Sequence, residues 1–112
     1  MKLSKKSLAK REENKRKDDE MRLEIWNERP HKCEITGEKI EFSPIVFSHI
    51  LSKGAYPEYR HKKENIMLVT ARIHQIWEFE GDILTKEPRL QKKIDKAKEL
   101  KQLYYKEHNF FI

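Results

Sequence analysis

The first thirty residues lack an apolar stripe. From Lys5 to Glu20 only Leu8 and Ala9 are apolar, and charges of both signs interleave as KREENKRKDDE. Such a run buries little and reads as a solvated helix or a disordered arm. Apolar residues return at Met21, Leu23, Ile25 and Trp26. Their helical spacing lets the end of a helix dock on a core, and Pro30 closes that helix.

The pattern then shortens its period. CEITGEK, from Cys33 to Lys39, sets Thr36 and Gly37 between short flanks, a tight turn in which Gly37 supplies a positive φ. PIVFSHIL, from Pro44 to Leu51, is rich in β-branched and aromatic residues and predicts a strand with His49 near its far end. SKGAYPEYRHKKE, from Ser52 to Glu64, is a loop punctuated by Gly54 and Pro57, and NIMLVT, from Asn65 to Thr70, predicts a second short strand. In ARIHQIWEFE the recurrence of Ile73, Ile76 and Trp77 predicts a helix that Gly81 ends. Beyond it Thr85 caps a last helix with Pro88 in its first turn. Leu90, Ile94, Ala97, Leu100 or Lys101, and Tyr104 fall along one face of that helix. Phe110, Phe111 and Ile112 close the chain as apolar surface that folds back or meets a partner, a homodimer contact or a second protein.

Composition narrows this picture. The 112 residues fit one domain, and 37% hydrophobic against 39% charged residues leave room only for a compact central core. The expected organisation is a charged N-terminal helical arm over residues 1–30, a core over 31–82, and an amphipathic C-terminal helix over 83–112 packed on it. Cys33 is the sole cysteine, which excludes an intrachain disulfide and reads best as a small buried hydrophobe. With no signal-peptide pattern and no membrane-length apolar run, the expectation is a soluble cytoplasmic protein without a membrane partner. The net charge of +6 is uneven: +4 over residues 1–32, −1 over 33–80 and +3 over 81–112. A near-neutral centre between basic segments suits a phosphate-binding protein, although charge alone favours Lys-rich helices that keep a small chain soluble.

The candidate chemistry lies in the centre. A strand, loop, strand and helix in that order let His49, at the end of the first strand, and His74, on the helix, converge. His74 and Glu78 stand one helical turn apart and can share a cation. An imidazole with a carboxylate suits Mg²⁺, Mn²⁺ or Zn²⁺ with open positions for water and phosphate oxygens. Phosphodiester hydrolysis needs a base for the water and a cation for the charge that develops on phosphate and leaving oxygen. His49 fits the base, since a neutral imidazole accepts a proton near neutral pH.

FSHILSKGAYPEYRHKKENIMLVTARIHQIWE, within the stretch from Cys33 to about Glu80, resembles the HNH endonucleases of the ββα-metal (His-Me finger) class, including small ones encoded by bacteriophages. The resemblance covers under half of the chain. It implies an α+β fold with a small ββα-metal core between long N-terminal and C-terminal helices. It also implies a metal-dependent DNA endonuclease, a hydrolase that cuts or nicks, acting in the host cytoplasm if phage-encoded. Carried over, the catalytic positions are His49 as general base, Asn65 fixing the loop that positions it, and His74 on the divalent cation, with Glu78 as second ligand. Mg²⁺ or Mn²⁺ is the expected cofactor, with Zn²⁺ as the further option. Two residues depart from the pattern. Ser48 stands where the family commonly has an Asp or His ligand, so fewer protein groups and more water or phosphate are expected on the cation. Thr36 stands where the second cysteine of a zinc-binding pair would be, so no structural zinc is expected.

Lys53, Arg60, Lys62 and Lys63 in the loop, with Arg72 on the helix, are the candidate DNA contacts. Solvated loop charge explains the first four nearly as well. Tyr56 and Tyr59 are expected to pack over the core rather than stack on bases. Two other readings stand beside the nuclease: a nucleic-acid-binding or assembly module that keeps the fold without cutting, and a structural protein whose basic helices assemble with a partner.

Overall fold

Ser4 begins the first element by capping it: its hydroxyl accepts the Ser7 N–H at 3.1 Å. The helix that follows, α1, runs unbroken over Lys5–Glu28. The interleaved charges become exposed ion pairs one turn apart, Lys15 with Asp19 and Arg16 with Glu20, each a small contribution to a helix that has little apolar surface to bury. Its buried positions are Asp18, Met21 and Ile25. Pro30 forces the preceding Arg29 into extended backbone (φ −113°, ψ 153°) and the helix stops there. This computed structural model describes residues 4–108. They divide into two compact units, one ending at Pro30 and one beginning at His31. Residues 31–82 and the helix that follows them belong to the same unit.

Among the described residues the architecture is α+β and mostly helical, with four α-helices and one two-stranded antiparallel sheet. The second unit opens with the turn expected around Gly37, which does take a positive φ of 79° and is closed by an isolated bridge between Lys32 and Lys39. Strand β1 (Phe47–His49) pairs with β2 (Ile66–Leu68) in the register Phe47 to Leu68, Ser48 to Met67 and His49 to Ile66. Both strands are shorter than their apolar runs. Pro44 has no N–H and a fixed φ, so Pro44–Val46 winds into a 3-10 turn capped by the Ser43 hydroxyl. Asn65 likewise ends a 3-10 turn, Lys63–Asn65, instead of opening β2.

Thr70 caps α2 (Ala71–Phe79) by accepting the Ile73 N–H at 3.2 Å. The left-handed residue after α2 is Asp82 (φ 53°), not Gly81. Thr85 lies inside a short helix, α3 (Ile83–Lys86), and Glu87 is the residue whose side chain caps the 3-10 turn Pro88–Leu90. That turn leads into α4 (Gln91–Glu107). Leu68, Val69, Ile73, Ile76, Leu90 and Leu100 are buried at the centre of this unit. Cys33 is buried as expected, 3% exposed. No helix among the described residues is long and apolar enough to cross a membrane. The tail residues Phe110, Phe111 and Ile112, expected to meet a partner, lie outside the described residues.

Candidate active site

Side chains alternate along β1, so Phe47 and His49 face one side of the sheet and Ser48 the other. The two neighbours accordingly have different partners, His49 the loop after β1 and Ser48 a lysine of α4.

On the first side, His49 Nε2 lies 3.0 Å from the carbonyl oxygen of Arg60. A carbonyl only accepts, so this contact is a hydrogen bond when Nε2 carries the proton, and the neutral ring then has its basic lone pair on Nδ1. Asn65 fixes the loop that supplies the carbonyl. It is wholly buried, accepts the Leu51 N–H through Oδ1 at 2.7 Å, and donates through Nδ2 to the Leu51 carbonyl at 3.0 Å and the Tyr59 carbonyl at 3.2 Å. One side chain thus ties down the chain just after His49 and the residue just before Arg60.

The loop is also anchored to α4. Tyr59 donates to Glu107 at 3.0 Å, and Tyr104 donates to Glu58 at 3.0 Å. Tyr56 and Tyr59 both meet the Tyr104 ring edge to face, so both pack as expected. Burial, with Glu107 beside it, pushes the Tyr59 phenol up to about 12.

On the second side, α2 presents His74 and Glu78 one turn apart. His74 Nδ1 is buried and, among the described residues, has no hydrogen-bond partner. Burial pulls the imidazole below its ordinary range, the Glu78 carboxylate opposes that shift, and the Lys93 ammonium adds to it. A neutral imidazole with an unsatisfied ring nitrogen is a competent metal ligand, and leaving such an atom unpaired in the fold costs free energy. His74, with its unpartnered Nδ1, and Glu78 one turn on are the residues of α2 that could offer ligands to a divalent cation. No group of three or more His, Cys, Asp or Glu is placed to hold a metal among the described residues.

Lys93 is the residue that the sequence reading missed. It is wholly buried on α4, donates to the Ser48 hydroxyl, and stands 4.3 Å from the centre of the Trp77 ring. Burial pulls its amine down to about 7, against the opposing fields of Glu78, Cys33 and Glu34. Ser48 is thus occupied by a lysine rather than simply replacing a ligand.

The basic candidates separate. Lys62 turns back onto the Tyr59 ring, 4.7 Å from its centre, and lies 4.0 Å from Glu107. Arg72 pairs with Glu80 at 2.7 Å, a carboxylate that Lys86 shares and holds below its usual range. Lys53 is exposed on the loop, and Arg60 and Lys63 are half-buried there.

No family model, curated protein or solved structure matches the chain.

Proposed function

We propose that this protein is a metal-dependent DNA endonuclease of the HNH type, with β1, β2 and α2 as its ββα core. The observation that carries the reading is the held state of His49. Its Nε2 meets the Arg60 carbonyl, and Asn65 locks the loop that presents that carbonyl.

His49 Nδ1 takes the proton of the attacking water as the water oxygen bonds to phosphorus and the bond to the leaving 3′ oxygen breaks. The Arg60 carbonyl keeps the ring in the one orientation and stabilises the imidazolium that forms. His74 and Glu78 would hold a divalent ion, Mg²⁺ or Mn²⁺ first and Zn²⁺ second. Such an ion supplies charge neutralisation at the phosphate and leaving oxygen. Lys53, exposed on the loop, is the first candidate to hold the DNA backbone, with Arg60, Lys62, Lys63 and Arg72 beside it.

A second reading, a DNA-binding or assembly module that does not cut, is favoured by one contact: Ser48 bonds to a buried lysine where a carboxylate or imidazole would add a third ligand. The discriminating experiment incubates supercoiled plasmid with the protein in EDTA, Mg²⁺, Mn²⁺ or Zn²⁺. Nicked or linear product that requires a metal supports the nuclease. Bound but uncut plasmid under every metal selects the binding module.

A further inference from the structure

Three elements close around Lys93. Ser48 comes from β1, Trp77 from α2 and the lysine itself from α4, and the side chain is wholly buried among them. Among the described residues no carboxylate closes an ion pair with it. Its ammonium is held by one hydroxyl and the face of one indole, a weak set of partners for a buried charge. One helical turn before Trp77 stands His74 with its unpartnered buried Nδ1, and the lysine's charge reaches that ring. Glu78 reaches both groups with its opposing charge. The compartment therefore sets an imidazole with an unpartnered buried nitrogen, and a carboxylate one turn along the same helix, near the Lys93 ammonium.

We propose that Lys93 sets the cation affinity of this site. Its ammonium is a tethered positive charge beside Ser48 that keeps a divalent ion from binding tightly until a DNA phosphate brings compensating negative charge. Two features give it this role. The Ser48 hydroxyl accepts from the lysine and so is not offered to a metal. Repulsion between an ammonium and a dication is screened less when the ammonium is buried, as Lys93 is, than between two exposed charges. Cation and DNA consequently bind with positive coupling, each strengthening the other. The inference rests on the nuclease reading and extends it, assigning a residue of α4 to control of the metal.

The test is an electron paramagnetic resonance titration of Mn²⁺ into the full chain near pH 6, with and without a short DNA duplex. Wild type is compared with Lys93→Met and with Lys93→Gln, the second variant keeping a polar tip for Ser48. Without DNA, both neutral variants are expected to bind Mn²⁺ roughly tenfold or more tightly than wild type. The gain that the duplex gives wild type should shrink in both. Equal or weaker Mn²⁺ binding by both folded variants, with wild type still cutting plasmid in Mn²⁺, overturns the role of Lys93 alone. Absence of Mn²⁺ binding in all three proteins, with plasmid left uncut, overturns the nuclease reading as well.

Discussion

Asn65 grips Leu51 from both sides, accepting its N–H at 2.7 Å and donating to its carbonyl at 3.0 Å. The same amide nitrogen donates to the Tyr59 carbonyl. Asn65→Ala leaves three backbone groups without these partners, at roughly 1–3 kcal/mol for each that stays buried and unsatisfied. Urea denaturation should show a loss of about 3 kcal/mol or more. A loss below about 1 kcal/mol would mean that water or backbone movement replaces the clamp.

Lys93 should impose a pH dependence on stability. Its amine lies at about 7 in the fold against an ordinary 10.5, so between those values the unfolded chain binds more protons than the folded one. Unfolding free energy then rises with pH across that window, by up to about 1.4 kcal/mol per unit, and the full destabilisation is present below it. Lys93→Met removes the term. Relative to wild type it should be more stable near pH 6, with the gap narrowing as pH approaches about 10. Parallel stability curves for the two proteins would contradict the burial of a charge-bearing lysine.

The exposed Lys53 should contribute to DNA binding in a way that salt reveals. If it contacts one phosphate, Lys53→Ala weakens binding on all sequences alike and lowers the slope of log affinity against log salt by about one. Fluorescence anisotropy on two unrelated duplexes at several salt concentrations measures this. An unchanged slope would assign Lys53 to solvated loop charge.

Much of the framework was legible because local rules governed it. Gly37 turns where a left-handed residue was required, Pro30 ends α1, and the apolar recurrence of Ile73 and Ile76 gives α2. Strand lengths were less legible, because runs such as PIVFSHIL show apolar character but not where hydrogen bonding stops. Pro44 diverts the start of that run into a 3-10 turn. His49, His74 and Glu78 could be proposed from residue type and order, and Asn65 from the family resemblance. The Arg60 carbonyl could not, since a backbone acceptor carries no mark in the sequence. Lys93 was missed for a different reason. Leu90, Ala97, Leu100 and Tyr104 define a stripe spaced by threes and fours that passes through position 93, but an apolar neighbour at Ile94 drew the assignment. A lysine on such a stripe is itself the signal, for its long stem can be buried while its ammonium finds a polar partner across the core.

The most direct test of the central claim is chemical rescue at position 49. Plasmid nicking in Mg²⁺ or Mn²⁺ is followed for wild type and for His49→Gly, each with and without added imidazole. The account predicts metal-dependent nicking by wild type, a loss of roughly 10²–10⁴-fold in His49→Gly, and partial recovery when imidazole fills the gap. Nicking by His49→Gly at the wild-type rate, or no nicking by wild type under either metal, would contradict it.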